Sequence, residues 1–311
     1  MGRWGDGGMG RWGDGHHSTA HRTGVPTMTS ALTILGLGLM GRPLARTLRR
    51  AGWPVSGWNR SPLEPALGAG IALCATLAEA ARADMLILTL ADSPAVAAVL
   101  AGLGPHLRPG HLVIDMGTSD PARSREHATA LAARGVGWVD APVSGGPEGA
   151  AAGTLALMVG GSEGDVARAQ PVLATLGRVT HVGDAGAGHT VKVINQLIVG
   201  LTIEAVAEAL TLAEAVGIEP RRLQQALAGG FADSQVLQIH GSRMLARTYI
   251  PGGRVATHLK DLRLAQALAA SAGLRLPHLD DTTARYQRLV ETGDGALDHS
   301  ALHKLLNAER A

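Results

Sequence analysis

The sequence predicts an α/β domain with a doubly wound, mostly parallel sheet, followed by an all-α domain that a long interdomain helix joins to it. Two observations predict this arrangement. Short apolar runs alternate with helical segments from residue 32 to residue 182, and after residue 188 only helical segments follow. Strands that alternate with helices are typical of parallel α/β sheets.

The elements of the first half follow one another in a regular order. The predicted strands are residues 32–37, 54–58, 85–90, 111–115, 136–140, 154–159 and 178–182. The predicted helices between them are residues 43–51, 94–100, 122–133 and 163–176.

The second half is predicted to be entirely helical. Residues 191–216 contain almost no helix breaker and are apolar on most sides, which predicts one long buried helix. Further helices are predicted over residues 220–229, 234–247, 257–272, 277–292 and 299–309. We therefore expect a first domain over residues 28–188 and a second over residues 189–311, with a cleft between them as a favoured ligand site.

The N-terminal 27 residues differ from the rest. The heptad MGRWGDG occurs at residues 1–7 and again at 9–15, and no apolar periodicity follows before residue 28. A glycine-rich duplication of this kind buries too little surface to offset its ordering entropy, which predicts a disordered extension.

Composition excludes several classes of protein. The chain has 311 residues, a hydrophobic content of 46% and a net charge of +2 without any run of Lys or Arg, which argues against nucleic-acid binding. Cys74 is the single cysteine, so no internal disulfide forms and a reducing compartment is indicated. The apolar run at residues 31–40 is shorter than the roughly 20 residues that a membrane span needs. We expect a cytoplasmic protein with no membrane partner.

A glycine motif lies directly after the first predicted strand and opens the first helix. Its residues are Gly36, Leu37, Gly38, Leu39, Met40 and Gly41, in the pattern GxGxxG. The first glycine permits a tight turn, the second lets the backbone approach a pyrophosphate, and the third allows close helix packing. The free N–H groups of the helix then face the phosphates. This context favours a dinucleotide-binding Rossmann domain over a simple turn.

The end of the second predicted strand bears on the choice of cofactor. An acidic residue there would bind the ribose 2′-hydroxyl of NAD, but Asn59, Arg60 and Ser61 occupy these positions. Without a carboxylate to repel it, a 2′-phosphate can lie against Asn59 and Arg60. NADP(H) is therefore favoured and NAD(H) stays possible; the alternative is a solvated arginine at a strand end.

Ser144, Gly145 and Gly146 follow the predicted strand at residues 136–140, in a segment too short for a helix. A hydroxyl beside unobstructed backbone N–H groups suits a small carboxylate. A glycine-rich turn without a ligand explains the same residues equally well.

The start of the long helix carries the strongest chemical signal. Lys192, Asn195 and Gln196 share one helix face in otherwise apolar surroundings. Only three of the 28 basic residues are lysines, so a retained lysine is a candidate for proton transfer, which arginine cannot perform. Desolvation would lower its pKa toward the range of a general acid or base. The alternative is a structural, ion-paired lysine.

Two further pairs are weaker signals. From spacing alone, Lys260 and Asp261 are best explained as an ordinary surface pair. His299 and His303 have i, i+4 spacing, but no HExxH motif or cysteine cluster accompanies them, so a helix surface is favoured and no metal site is predicted.

Taken in order, these segments resemble the β-hydroxyacid dehydrogenase family over residues 32–308. The matching stretches are GLGLMGRPLA, DAPVSGG, GAGHTVKVINQ and HLKDLRLA. The family includes 3-hydroxyisobutyrate dehydrogenases and tartronate semialdehyde reductases, and the DHSAL ending is more similar to the second subgroup.

The resemblance implies roles for individual residues. Lys192 would be the proton donor and acceptor, and Ser144, Gly145, Gly146 and Asn195 would hold the substrate. Thr118 and Lys260 would contact the cofactor near its nicotinamide, which displaces the surface-pair interpretation of Lys260. A homodimer or homotetramer acting on a small hydroxy or oxo acid is also implied.

The expected reaction is the NAD(P)H-dependent reduction of tartronate semialdehyde to glycerate. The alternatives within enzymes are a 3-hydroxyisobutyrate dehydrogenase and a reductase of glyoxylate or succinic semialdehyde. Outside enzymes, the alternative is a catalytically silent dinucleotide-binding module.

Overall fold

A computed structural model of the chain describes residues 30–63 and 70–308. It contains an α/β half and a helical half. The disordered extension predicted over residues 1–27 lies outside the described residues.

The α/β half is built on one sheet, which has nine strands among the described residues. The strands are β1 (Leu32–Leu35), β2 (Val55–Trp58), β3 (Ala72–Leu73), β4 (Met85–Leu88), β5 (Leu112–Asp115), β6 (Gly137–Asp140), β7 (Val143–Ser144), β8 (Leu155–Gly161) and β9 (Gly177–Gly183). The strand order is β3-β2-β1-β4-β5-β6-β8-β7, with β9 also paired to β8. Only β6–β8 and β7–β8 are antiparallel. The predicted doubly wound, mostly parallel sheet is thereby confirmed.

Helices cover the sheet and form the second half. In the first half they are α1 (Gly41–Arg50), α2 (Leu77–Ala80), α3 (Ser93–Leu103), α4 (Pro121–Ala132), α5 (Gly146–Ala152) and α6 (Glu163–Leu176). In the second they are α7 (Ala187–Ala215), α8 (Pro220–Leu227), α9 (Gln235–Leu245), α10 (Val255–Ser271), α11 (Pro277–Glu291) and α12 (Leu302–Ala308). Short 3-10 helices occupy Gly104–His106, Asp294–Ala296 and His299–Ala301.

The central strands explain why the sheet is covered on both faces. Every residue of β1, β4 and β5 is buried, and their sequences LTIL, MLIL and LVID are apolar at almost every position. Continuous apolar strands of this kind need helices on both sides. One apolar core therefore lies on each face of the sheet, and a third core fills the helical half.

The segment after β6 differs from the expectation of a helix-free loop. It forms the short strand β7, turns at Gly145 with φ of +129° and begins α5 at Gly146. Pro147 favours a helix start, because its missing N–H is not needed in the first turn. The sequence pattern concealed this helix because five of its seven residues are glycine or alanine.

The long helix α7 begins four residues earlier than predicted and passes from the sheet into the helical half. It spans 29 residues, or roughly 44 Å at 1.5 Å per residue. By length and composition it could cross a membrane, because its most apolar 18-residue stretch has a mean hydropathy of 1.5, and a third of that stretch is buried. The helix packs against β8, α9, α10 and α12, but the prediction that it is buried along its whole length is wrong. Ile194, Ile198 and Leu212 stay exposed in the single chain. Association into a dimer or tetramer stays a prediction.

The first turn of α7 packs against the sheet so closely that only glycine fits at position 188. A Cβ on Gly188 would lie 2.5 Å from the carbonyl oxygens of both Asp140 and Met158. We expect Gly188→Ala to lower the free energy of unfolding by roughly 1–3 kcal/mol, because backbone cannot yield as a side chain can. Chemical denaturation measures this difference.

Gly164→Ala is the matched control, since Gly164 lies in α6 and its Cβ would meet nothing within 4 Å. It should raise stability by up to about 1 kcal/mol through helix propensity. Equal effects of the two substitutions would contradict the packing described for α7.

Candidate active site

The glycine loop between β1 and α1 has the shape of a dinucleotide cradle. A Cβ on Gly36 would collide with the Thr89 carbonyl oxygen at 2.6 Å, and one on Gly41 with the Gly36 carbonyl oxygen at 2.0 Å. A Cβ on Gly38 would meet nothing, so open space lies above the middle glycine. No side chain caps α1, which leaves N–H groups of its first turn for an anion. These residues fit a bound pyrophosphate.

The remaining residues predicted to bind the cofactor differ from one another in how far they are buried. Leu37 is buried in the core and Leu39 is exposed, while Met40 packs partly buried against the core. The Asn59 side-chain oxygen accepts a hydrogen bond from the Leu37 N–H at 3.0 Å, and its amide donates to the Ser61 carbonyl oxygen at 2.8 Å. Asn59 therefore braces the loop, and Arg60 beside it is exposed.

Asp140, at the end of β6, anchors the start of α7. One carboxylate oxygen accepts from the Gly186 N–H at 2.8 Å and the other from the His189 N–H at 2.9 Å. The carboxylate is fully buried and has the positive end of the helix dipole beside it. The main chain continues from Asp140 into β7 and then α5, so the segment that contains Ser144 and Gly146 begins next to the residue that anchors α7.

The predicted carboxylate-binding residues follow β6 directly. Ser144 ends β7, Gly145 precedes α5 with a φ of +129°, and Gly146 begins α5 with a φ of +65°. Among the described residues, the Ser144 hydroxyl has no hydrogen-bond partner. A hydroxyl and free N–H groups therefore remain for a small anion.

Lys192 lies one turn into α7 and is 8% exposed. Its amine donates a hydrogen bond to the Gln196 side-chain oxygen at 2.8 Å. Burial lowers the pKa of Lys192 to about 8; the Asp261 carboxylate raises the pKa and Lys260 lowers it further. An amine with a pKa close to neutrality can donate and accept protons under physiological conditions.

The Gln196 side chain links Lys192 to helix α10. Its oxygen also accepts from the Asn195 amide at 3.0 Å. Its own amide donates to an Asp261 carboxylate oxygen at 2.6 Å and lies 3.4 Å from His258 Nδ1. Burial, followed by the Lys192 charge, lowers the pKa of His258 to about 3, so this imidazole is neutral.

The structure brings Thr118 and Lys260 together across the two halves. The Lys260 amine donates to the Thr118 carbonyl oxygen at 2.5 Å. The same amine lies 2.9 Å from the second Asp261 carboxylate oxygen. Asp261 is 2% exposed, so the interpretation of Lys260 and Asp261 as a surface pair is wrong.

Sequence reasoning did not assign Asp261 or His258 to the site. Both are buried on α10, more than 60 positions from Lys192 along the chain. The HLKDL stretch that contains them was recognised only for Lys260. Its polar residues at adjacent positions in an apolar helix were the available signal, because buried polar groups need partners.

A second polar cluster lies around Asp298. His240, Asp298 and His299 bring three ligand-type atoms within 4.8 Å of one another. However, both Asp298 oxygens already accept hydrogen bonds, one from Ser300 and the other from Arg243, Gly252 and Gly253. The cluster is therefore explained as a hydrogen-bonded group that anchors the 3-10 helix His299–Ala301.

The histidine positions in this region differ from the sequence expectation. The His299 ring lies between the rings of His240 and His258, with centroids 4.4 and 4.9 Å away. Burial holds the pKa of His299 well below its usual value, and His303 is 1% exposed. The interpretation of His299 and His303 as a helix surface is wrong, because the helical half packs on this face.

A glycine cradle followed by a buried, titratable lysine at the start of the helical half defines a nicotinamide-dependent oxidoreductase. Comparison with known proteins agrees. Residues 31–183 match the NAD binding domain of 6-phosphogluconate dehydrogenase, and residues 186–306 match the NAD-binding domain of NADP-dependent 3-hydroxyisobutyrate dehydrogenase. The chain belongs to the 3-hydroxyisobutyrate dehydrogenase-like β-hydroxyacid dehydrogenase family.

The match to individual relatives extends over almost the whole length of each relative. The 2-hydroxy-3-oxopropionate reductase of Escherichia coli (strain K12) is 40% identical over 88% of this chain and 96% of that protein. A probable 3-hydroxyisobutyrate dehydrogenase of Mycobacterium tuberculosis is 34% identical over 90% and 98%. The structure of Mycobacterium tuberculosis 3-hydroxyisobutyrate dehydrogenase with L-serine has a TM-score of 0.80 and 32% identity, covering 89% of this chain and 99% of that one. The protein is thus an NAD(P)-dependent enzyme acting on hydroxyl groups, not a silent binding module.

The open space above Gly38 yields a test of the cradle. Gly38→Ala should leave the unfolding midpoint unchanged, since its Cβ meets no protein atom. It should weaken NAD(P)H binding about tenfold or more, because the added methyl occupies the place where the pyrophosphate approaches the backbone. Nicotinamide fluorescence titration measures the affinity. Unchanged affinity would show that the pyrophosphate does not lie above this glycine.

Proposed function

We propose that the protein reduces tartronate semialdehyde (2-hydroxy-3-oxopropanoate) to glycerate with NADPH. The observation that carries this proposal is the buried Lys192 amine with its pKa lowered to about 8. It lies on the helix whose first turn is anchored by Asp140, and the segment suited to a small carboxylate follows Asp140 along the chain. The 40% identity to a 2-hydroxy-3-oxopropionate reductase over nearly its full length supports the choice of substrate.

Binding and orientation of the substrate fall to the segment after β6. The Ser144 hydroxyl and the backbone N–H groups of Gly145 and Gly146 hold the carboxylate by charge-assisted hydrogen bonds. Asn195 binds the hydroxyl group beside the reacting carbon. Two attachment points fix a three-carbon substrate, so that its aldehyde oxygen lies at the Lys192 amine.

Lys192 performs the proton transfer. A nicotinamide bound at the glycine loop would supply the hydride for the aldehyde carbon. As negative charge develops on the aldehyde oxygen, the Lys192 ammonium stabilises it and then donates a proton, leaving a primary alcohol and a neutral amine. A proton from solvent restores the ammonium for the next turnover.

The preference for NADPH over NADH rests on the end of β2. None of residues 59–63 is acidic, and Arg60 is exposed and has no ion-pair partner in the part of the chain that the structure describes. A guanidinium in this position favours the 2′-phosphate of NADPH. Asn59, held against the loop, leaves that space to the phosphate.

A panel of small acids tests the proposed substrate. The panel contains tartronate semialdehyde, methylmalonate semialdehyde, succinic semialdehyde and glyoxylate. We expect tartronate semialdehyde to give the highest kcat/KM, and we expect a higher kcat/KM with NADPH than with NADH. The reason is that Asn195 offers a polar partner for the 2-hydroxyl, which the other compounds lack. Nicotinamide absorbance follows each reaction. A higher kcat/KM for methylmalonate semialdehyde would instead identify a 3-hydroxyisobutyrate dehydrogenase.

The pH dependence tests the role of Lys192. Reduction needs the ammonium form, so kcat for reduction should fall as pH rises through about 8, and kcat for oxidation should rise through the same pH. Lys192→Ala and Lys192→Arg should both lower kcat on the order of 10²–10⁴-fold, because guanidinium does not release a proton readily. Lys304→Arg, on the exposed surface of the helical half, is the control. Near-normal turnover in Lys192→Arg would overturn proton transfer by this residue.

A further inference from the structure

Asp261 is a buried carboxylate that lies between the two lysines of the crevice. One of its oxygens accepts from the Gln196 amide at 2.6 Å, and the other lies 2.9 Å from the Lys260 amine. The side chain is 3% exposed. A buried charge is costly unless charged or hydrogen-bonding partners offset it. Here the hydrogen-bond partner Gln196 and the ion-pair partner Lys260 both belong to the path that leads to Lys192.

The contacts of Gln196 leave only one orientation for its amide group. In that orientation the oxygen accepts from Lys192 and Asn195, and the nitrogen donates to Asp261. In the reversed orientation the oxygen would face the Asp261 carboxylate, and the NH₂ group would face the Lys192 ammonium. Both contacts would be repulsive. The Asp261 charge therefore selects the orientation that presents an acceptor to Lys192.

The other side of Asp261 reaches the α/β half. Lys260, paired with Asp261, donates to the carbonyl oxygen of Thr118, in the loop after β5. Polar contacts thus run without a break from Lys192 through Gln196, Asp261 and Lys260 to Thr118. They cross the crevice from the helical half to the edge of the sheet where a dinucleotide lies in folds of this class.

We propose that Asp261 is a positioning residue that holds the Lys192 amine in its working direction through the Gln196 amide and ties it to the Thr118 loop through Lys260. This inference rests on the proposed function of Lys192. It adds that the direction and the charge of the amine are set from α10, by a residue that does not touch the substrate.

The charges around Lys192 give the proposal a measurable consequence. The charged groups that act on it lie on α10: Asp261 raises its pKa and Lys260 lowers it. His258, on the same helix, is neutral because burial and the Lys192 charge lower its own pKa to about 3. Removal of the Asp261 charge leaves Lys260 unopposed, so the pKa of Lys192 must fall.

Lysine NMR measures this pKa directly, because the chain has only three lysines. Full-length protein labelled with ¹³C at lysine Cε gives three side-chain signals, assigned with Lys260→Arg and Lys304→Arg. We expect Asp261→Asn to lower the pKa of Lys192 by about one pH unit. The basic limb of the reduction pH profile should move down with it, and kcat should fall about tenfold to hundredfold.

A double-mutant cycle separates positioning from a general loss of structure. Gln196→Leu removes the connecting amide. In its presence Asp261→Asn should cause almost no further loss of the limiting kcat at low pH, where Lys192 is fully protonated, since both changes break one path. Asp280→Asn is the control, because Asp280 also accepts a hydrogen bond from a glutamine amide of α10, that of Gln266 at 2.8 Å, but lies on α11 and pairs with Arg275. It should leave the pKa of Lys192 and kcat unchanged.

The outcomes distinguish this inference from the proposed function. A Lys192 signal that titrates at the same pH in wild type and Asp261→Asn would overturn the inference, as would additive losses in the cycle. If no semialdehyde is reduced, the proposed function fails, while the shift of the Lys192 signal still decides the role of Asp261. If Asp261→Asn does not fold, the Lys192 signal in Gln196→Leu decides instead: an unchanged pKa and wild-type kcat there would overturn the inference.

Discussion

The two halves of the molecule depend on the buried carboxylate of Asp140. A charge at this depth would be costly without partners, and both its oxygens receive N–H groups from the first turn of α7. Asp140 is the last residue of β6, and its carboxylate accepts hydrogen bonds from the start of α7. The chain then continues from Asp140 through β7 to Ser144. The segment proposed to hold the substrate and the helix that carries Lys192 are therefore both attached to this residue, the first through the main chain and the second through hydrogen bonds.

The pKa of Lys192 is set by two opposing effects, burial and the charge of Asp261. Burial alone would push the amine of Lys192 toward its neutral form, and a carboxylate in direct contact would hold it fully protonated. The Gln196 amide lies between Lys192 and Asp261 and bonds to both. The Asp261 charge therefore raises the pKa of Lys192 less than a carboxylate in direct contact would. This arrangement leaves Lys192 close to its point of half-protonation near pH 8, where both directions of a reversible oxidation are supported.

Short-range sequence patterns were sufficient to predict the elements whose structure depends on neighbouring residues. Strand runs, the glycine loop after β1 and helix α6 were predicted from periodicity and turn chemistry, and Lys192 stood out through its apolar neighbours. The contacts of Asp261 and the burial of His303 were not predictable in this way. They depend on how α10 and the last helices pack against α7. The adjacent polar residues of HLKDL indicated that partners were needed, but not which distant residues supply them.

The chain has only three lysines, which limits where amine-reactive small molecules can modify its side chains. Of its three primary side-chain amines, only Lys304 is half exposed, and it is held by both oxygens of Asp294. Lys192 is buried, and Lys260, with 27% of its side chain exposed, is paired with Asp261. Among lysine side chains, acylating and aldehyde reagents thus find few accessible targets, and protection by a bound ligand would distinguish modification of Lys192 and Lys260 from modification of Lys304.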